Sequence, residues 1–290
     1  MKAELVCYYC CMRKADMLLA EYRLEEPEKI RIMKEVFFQL ATAKEDGTAP
    51  VLMAKVMRLL KEQVGIINAY DHTKTEYNEL LLSKEAKIVE KINSSEDKLL
   101  AALQYAMVGN YIDFGAMDSV DHKKLEELLD SAVQEEINED EIKAFKNQLK
   151  TATQLVYITD NAGEIVLDKI FIKIIKELYT ALNILVIVRG APILNDATIK
   201  DAQAIGLTKI TEVIPNGTDI PGTQLEALGD RAKEIIEKAD LIISKGQGNF
   251  ETLFGCDLNI YYIFLCKCDL FMQKFQMDRF KGVFVNEKNL

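Results

Sequence analysis

Polar segments follow four apolar runs in the second half of the chain, each where a strand is expected to end. They are residues 159–164 (T-D-N-A-G-E), 195–196 (N-D), 216–217 (N-G) and 244–249 (S-K-G-Q-G-N). In an open α/β sheet the carboxyl ends of parallel strands share one edge, so these turns can meet in one crevice. Carboxylates, amides, a lysine and flexible glycines would gather there, which are the groups expected where a metal ion and a phosphate bind.

The first two turns supply candidate metal ligands. Asp160 and Asn161 follow the first expected strand, and Asp196 stands just before a helix. Carboxylate and amide oxygens are hard ligands that suit Mg²⁺ or Mn²⁺, with water and substrate oxygens in the remaining positions. The alternative is that Asp160 or Asp196 caps the following helix. Because both turns present a carboxylate beside an asparagine at one sheet edge, we favour a metal site of Asp160, Asn161 and Asp196.

The last turn has the composition of a phosphate-binding loop. Glycines allow the backbone to approach a ligand closely, and N–H groups at a helix start bind anions. Lys245 adds a positive charge for a phosphate oxygen, and backbone N–H groups near Gly246 and Gly163 would stabilise charge on a phosphoryl group. The alternative is a tight turn with a solvated lysine. Neither G-x-x-x-x-G-K nor a G-x-G-x-x-G after the first strand is present, so those nucleotide-binding loops are not indicated.

A further polar pair, Asn110 and Asp113, lies in the glycine-flanked loop 109–115. In one interpretation these side chains satisfy the loop's own backbone as a turn. In the other, the loop forms a second wall of the cleft and contacts substrate hydroxyls. The residue types leave both interpretations open.

Cysteine and histidine chemistry has little support. Cys7-x-x-Cys10-Cys11 could be half of a zinc site, but no second pair with suitable spacing accompanies it, so buried reduced thiols are expected. His72 and His122 lie far in sequence from the strand-end turns, which argues against a Ser-His-Asp arrangement. No secretory signal is evident, and a cytoplasmic location is expected.

The pattern of apolar residues divides the chain into two parts. Residues 1–108 carry helical spacing, and we expect a helical domain there. Residues 109–290 begin with two more helices around a turn near Asn138 and then alternate short Val- and Ile-rich runs with helical stretches, which predicts a mostly parallel, Rossmann-like α/β sheet flanked by helices. The expected strands are 154–159, 184–188, 209–214, 240–244, 259–266 and 282–285. The expected intervening helices are 164–178, 197–205 and 224–238, the last with a capping box of Thr223 and Glu226.

Composition sets limits on the partners. The chain has 290 residues, 49% of them hydrophobic, and a net charge of −10. That charge argues against nucleic-acid binding, since nucleic-acid binders normally present a basic face. No apolar run approaches the roughly 18–20 residues that span a bilayer, so no membrane partner is expected. A small phosphorylated metabolite remains compatible, because a lysine and a metal ion reverse the field locally.

The sequence resembles the damage-control phosphatase family, long catalogued as domain of unknown function 89. The motifs that carry the resemblance are G-N-Y-I-D-F-G (109–115), T-D-N-A-G-E-I-V-L-D (159–168), V-R-G-A-P-I-L-N-D-A-T (188–198) and S-K-G-Q-G-N-F-E (244–251). The C-x-x-C of Cys7 and Cys10 is similar to that of the prokaryotic subgroup. These motifs occur in the expected order across nearly the whole chain.

The resemblance implies a helical domain packed on a Rossmann-like domain with a divalent metal in the cleft. It assigns the metal ligands to Asp160, Asn161 and Asp196, the phosphate-contacting lysine to Lys245, and Asn110 to the substrate cleft. It implies a metal-dependent phosphatase that hydrolyses sugar phosphates or damaged and side-product phosphates. Because oxygen ligands of this kind accept several divalent ions, the expected cofactor is Mg, Mn, Co or Ni.

The chemical step has two versions. We favour metal-activated water over direct attack by Asp160 or Asp196, because both carboxylates are committed to the metal. The alternative functions are an S-adenosylmethionine-dependent protein carboxyl methyltransferase, a label that related sequences have carried, and a non-catalytic phosphometabolite-binding protein.

Overall fold

The computed structural model describes residues 1–65, 70–117 and 119–290. The helices of the described part are α1 (Leu5–Ala20), α2 (Glu26–Ala41), α3 (Ala49–Val64), α4 (Asp71–Ser94), α5 (Lys98–Gly109), α6 (His122–Ser131), α7 (Glu139–Thr151), α8 (Glu164–Leu178), α9 (Ile199–Ala204), α10 (Asp230–Glu237), α11 (Gln247–Leu253) and α12 (Asp269–Phe275). The strands are β1 (Gln154–Ile158), β2 (Asn183–Val188), β3 (Glu212–Pro215), β4 (Leu241–Lys245), β5 (Ile260–Leu265) and β6 (Gly282–Asn286). None of the helices in these three ranges is long and apolar enough to cross a membrane.

The strands form one sheet in the order β3-β2-β1-β4-β5-β6. Neighbouring strands are parallel except for β6, which runs antiparallel to β5. The chain order reverses between β1 and β4, and in open α/β sheets ligands bind outside the carboxyl ends of the strands at such a point. The predicted fold class, a mostly parallel sheet flanked by helices, is confirmed.

The sheet is covered on both faces, and successive residues of β1 point to opposite cores. Leu155 and Tyr157 pack with α4, α5 and α8, whereas Val156 and Ile158 pack with α1, α2 and α3. This alternation explains why the strand reads as a continuous apolar run. Helices from residues 1–108 therefore contribute to both cores, while the division into domains at residue 109 stays a prediction; residues 66–69 of that first part lie outside the described residues.

Two predicted elements differ from the structure. The predicted strand 209–214 is β3 at Glu212–Pro215, preceded by the 3₁₀ turn Leu207–Lys209. The predicted helix 224–238 contains a 3₁₀ turn followed by α10, so the predicted capping box of Thr223 and Glu226 is wrong. The reason is tertiary: the buried Thr223 hydroxyl donates a hydrogen bond to Asn249 Oδ1 at 2.7 Å instead of capping a helix.

Candidate active site

The first polar turn joins β1 to α8 and presents Asp160 and Asn161. The residue preceding the helix is Gly163, with φ of 80°, a conformation that glycine adopts readily. A Cβ at this position would lie 2.8 Å from the Tyr77 Cβ, so the turn also requires a residue without a side chain. Asp160 does not cap α8, because its Oδ2 accepts hydrogen bonds from the Asn110 and Asn161 amides at 3.0 and 2.6 Å. The capping alternative is therefore excluded at Asp160.

The second polar turn brings Asp196 beside Asn161, with which it forms an isolated antiparallel bridge. Helix α9 is capped by Thr198, whose hydroxyl and Asp201 form a capping box, so Asp196 is not the cap either. The Arg189 guanidinium donates to Asp196 Oδ2 at 2.7 Å, and both side chains are buried. Burial raises the pKa of Asp196 to about 6, while the Arg189 charge opposes that rise.

The two turns together present oxygens suited to a hard cation. Asp160, Asn161 and Asp196 line one cavity, and each keeps an Oδ1 atom that accepts no hydrogen bond from the part of the chain described. No group of three or more His, Cys, Asp or Glu side chains within the described ranges is arranged to hold a metal ion, so the donor set consists of two carboxylates and one amide. These residues fit a divalent ion that retains water or substrate oxygens in its other positions.

Electrostatics at Asp160 favour a bound cation. Burial raises the pKa of the Asp160 carboxyl well above its ordinary value, and the nearby carboxylates of Glu164, Asp113 and Asp196 raise it further. The Lys267 ammonium opposes this shift without cancelling it. The site thus holds more negative charge than its own cations balance, and a divalent ion would reverse the shift.

Beneath these turns lies a buried ion cluster centred on Lys245. Its ammonium donates to Glu164 Oε1 at 2.6 Å, to Asp168 Oδ1 at 2.5 Å and to the Ala106 carbonyl at 2.8 Å, and the side chain is fully buried. Asn110 links this cluster to the turn that follows β1, because its amide donates both to Glu164 and to Asp160. Lys245 and Asn110 therefore support the site from below, and neither lines the cavity.

The glycines predicted to bind phosphate also lie beneath the cavity surface. The Gly246 N–H donates to the Ile263 carbonyl at 3.0 Å, and the Gly163 N–H donates to Asn78 Oδ1 at 2.7 Å. Gly246 has φ of 82°, and a Cβ there would come within 2.0 Å of Asp160 Oδ2. Its role in the structure is to let β4 approach the Asp160 carboxylate.

The cavity outside these turns has a volume of about 530 Å³. Of the predicted site residues it is lined by Asp113, Asp160, Asn161 and Asp196. Asp113 serves both interpretations of its loop: Oδ1 accepts from the Gly115 backbone N–H at 2.7 Å, and Oδ2 accepts from the Lys267 ammonium at 2.6 Å in the cavity wall. Although burial opposes it, the Lys267 charge lowers the pKa of Asp113.

Lys267 is a cavity residue that the sequence did not single out. It follows β5, whose carboxyl end lies at the same sheet edge as those of β1 and β4. The signal that could have identified Lys267 is its position directly after the expected strand 259–266. Asn216, by contrast, does not line the cavity. Its Oδ1 accepts hydrogen bonds from the backbone N–H groups of Gly190 and Thr218 and so stabilises a neighbouring loop.

Thiols lie in the part of the cavity wall that α1 contributes. Cys7, Cys10 and Cys11 line it together with Cys268, and all are unbridged. Burial raises the pKa of Cys7 to about 11, so little thiolate forms near neutral pH. The expectation of reduced thiols agrees with this geometry.

Comparison with known proteins gives the family. Residues 4–281 match the family described as the damage-control phosphatase ARMT1-like domain. The chain is 30% identical to a damage-control phosphatase of Pyrococcus horikoshii over 295 residues, covering 100% of this chain and 99% of that protein. It is 33% identical to a damage-control phosphatase of Archaeoglobus fulgidus over 224 residues, 75% of each chain. The crystal structure of a DUF89 family protein from Pyrococcus horikoshii superposes with a TM-score of 0.85 at 27% identity, covering 99% of both chains. The chain belongs to the damage-control phosphatase family.

Proposed function

We propose that this protein is a divalent-metal-dependent phosphomonoester hydrolase acting on small phosphometabolites such as sugar phosphates or damaged and side-product phosphates. The observation that carries the proposal is that Asp160, Asn161 and Asp196 line one cavity and that the Oδ1 atom of each accepts no hydrogen bond in the described chain. The names of the relatives from Pyrococcus and Archaeoglobus support the same reaction class.

Asp160, Asn161 and Asp196 would hold the ion, whose chemistry is to neutralise phosphate charge and to acidify a water molecule. Mg, Mn, Co and Ni are all compatible with ligands of this kind. The amides of Asn110 and Asn161 fix the Asp160 carboxylate by donating to its Oδ2, so that Oδ1 would be available to the ion. A fixed ligand costs no reorganisation during the reaction.

We assign the phosphate-contacting positive charge to Lys267 instead of Lys245. Lys267 lines the cavity and contacts Asp113, whereas Lys245 is enclosed by two carboxylates and a carbonyl. The Lys267 ammonium keeps donors available beyond the one directed at Asp113 and would bind a phosphoryl oxygen. The attacking group in this proposal is water, since Asp160 and Asp196 are both committed as ligands.

Phosphate release from a panel of phosphometabolites, each with Mg²⁺, Mn²⁺, Co²⁺ or Ni²⁺, tests the proposal. We expect metal-dependent turnover by the wild type. Asp160→Asn should reduce it by about 100-fold or more, because losing even a group that only supports a metal ligand costs up to about 100-fold. Asp219→Asn is the matched control, because Asp219 pairs with Arg58 at the surface. Undiminished turnover in Asp160→Asn would refute the metal site. A phosphorylated Asp160 or Asp196 peptide after rapid quenching would replace water with a carboxylate nucleophile.

A further inference from the structure

Carboxyl groups in the cavity wall differ in whether they have partners. Those in the described residues are Asp113, Asp160, Asp196, Glu251 and Asp269. Four of them accept hydrogen bonds from cationic or amide side chains, the partners being Lys267 for Asp113, Asn110 and Asn161 for Asp160, Arg189 for Asp196, and Arg279 for Asp269. No residue in the described part of the chain donates a hydrogen bond to the Glu251 carboxyl. Glu251 is thus the cavity carboxyl that remains available to carry a proton.

Glu251 is held in place by its position on α11. This helix follows β4, which neighbours β1. Glu251 on α11 and Asp160 just after β1 therefore line one cavity at the same sheet edge. The Glu251 backbone carbonyl accepts a hydrogen bond from the Met1 amino group, and α11 packs on α3 and the sheet. The side chain therefore projects from a fixed element and reaches the same space as the metal ligands.

Charged and titratable groups surround Glu251, and Arg13, Lys267 and Arg279 line the same cavity. The titratable groups that face it are the thiols of Cys7, Cys10, Cys11 and Cys268, the Met1 ammonium and the Asp113 carboxylate. Burial raises the pKa of Glu251 to about 8, the Met1 ammonium opposes the rise, and Asp113 adds to it. This shift favours the protonated form of Glu251 near neutral pH, in contrast to an exposed glutamate.

We propose that Glu251 is the general acid of this active site and protonates the leaving alcohol. The inference rests on the proposed phosphatase function. As the bond between phosphorus and the ester oxygen breaks, its electron pair stays on that oxygen, which takes the proton from Glu251 and departs as an alcohol. The water oxygen forms the new bond to phosphorus; one of its two protons stays on the phosphate and the other is lost to solvent. The Glu251 carboxylate then regains a proton from solvent.

A general acid matters in proportion to the basicity of the leaving group. An alkoxide is a strong base and leaves slowly without a proton, whereas 4-nitrophenolate is a weak base and leaves unaided. Positioned proton donors contribute about 10²- to 10⁴-fold to such reactions. A variant without this proton should therefore lose more activity on an alkyl ester than on an aryl ester. If Glu251 had only a structural role, the loss would be the same on both.

The experiment compares Glu251→Gln with the wild type on two esters that the wild type hydrolyses, one alkyl phosphate and 4-nitrophenyl phosphate. We expect kcat/KM for the alkyl ester to fall about 100-fold or more, and that for the aryl ester to change less than about tenfold. The wild-type rate on the alkyl ester should also fall as the pH rises past about 8, and this limb should be absent in Glu251→Gln. Asp269→Asn removes a carboxylate from the same wall and should leave the ratio of the two esters unchanged.

Two results would overturn the assignment of Glu251. One is an equal loss on both esters with the variant still folded by circular dichroism and still binding Mn²⁺; the other is no loss on either ester. Failure of the proposed function looks different, because it would appear as no metal-dependent phosphate release by the wild type or as full activity of Asp160→Asn.

Discussion

Lys245 is enclosed by Glu164, Asp168 and the Ala106 carbonyl, and its side chain is fully buried. Burial alone would lower the pKa of this ammonium, but the two carboxylates outweigh burial and raise it. The charge is therefore retained inside the protein, where it holds Glu164. Glu164 in turn accepts hydrogen bonds from the Asn110 and Asn161 amides, which also donate to Asp160. Lys245, which the sequence pattern assigns to phosphate, is thus placed in the structure where it supports the turn of Asp160 and Asn161.

Lys245→Met tests this support at the level of one residue. The variant leaves two buried carboxylates without their cation, which typically costs about 3–5 kcal/mol. We expect a correspondingly large fall in the free energy of unfolding, measured by urea denaturation. Lys238→Met is the control, since Lys238 pairs with Glu234 at the surface and such pairs contribute little. Equal stability of the two variants would contradict a structural role for Lys245.

The connection from β4 to α11 helps to position the Asp160 carboxylate, which follows the neighbouring strand β1. Gly246 has φ of 82° and leaves the space that the Asp160 carboxylate occupies. Asn249, in the first turn of α11, donates to the carbonyls of Thr159 and Lys245 and ties the ends of β1 and β4 together. The two strands on either side of the sheet's reversal point therefore form one unit around Asp160.

Gly246→Ala tests that unit. A Cβ would lie 2.0 Å from Asp160 Oδ2, so the carboxylate must move, and metal-dependent phosphate release should be lost. Gly206→Ala is the comparison variant: its backbone is left-handed, with φ of 76° and ψ of 15°, and nothing lies within 4 Å of its Cβ, whereas Gly246 has ψ of 158° and carries backbone strain in addition to the clash. The cost of Gly206→Ala should be the left-handed conformation alone, about 1–2 kcal/mol, with activity retained. The measurements are phosphate release and Mn²⁺ affinity, and equal activity of both variants would contradict the steric argument.

The molecule as a whole is organised by one sheet with a core on each face. Helices α1–α3 cover one face and α4 and α5 the other, so the first 109 residues are divided between two cores. Contact is close: a Cβ on Gly109 of α5 would lie 2.7 Å from Leu167 Cδ1 of α8. The helices α1–α5 and the α/β part therefore bury apolar side chains against each other.

We therefore expect the helical and α/β parts to unfold together. Far-UV circular dichroism reports the helices, and near-UV circular dichroism reports buried tyrosines such as Tyr105 in α5 and Tyr157 in β1. The two signals should give coincident thermal transitions, as cooperative unfolding requires. Two separate transitions would instead support independent domains with a boundary near residue 109.

Periodicity and turn chemistry in the sequence predicted much of the fold. The predicted helix 164–178 coincides with α8, because its apolar residues repeat at helical spacing up to the end of the helix. The Val- and Ile-rich runs correctly predicted β1 and β4, since strands buried on both faces are apolar throughout. Prediction failed at 209–214 because the N–H groups of residues 209–211 bond to the Gly206 and Leu207 carbonyls in a local turn, which delays the strand. It failed at Thr223 because the hydroxyl bonds to the distant Asn249.

What the sequence determined by itself is the order of the elements and the residue types at each strand end, because both depend on local spacing. Only the tertiary structure decided which of those residues reach the cavity. Asp160, Asn161 and Asp196 do, while Lys245 turns inward to meet Glu164 and Asp168 on α8. Local sequence specifies that a lysine ends β4, but the direction of its side chain depends on the buried carboxylates that the fold brings near it. Charge is stabilised over short distances through space, whatever the separation along the chain.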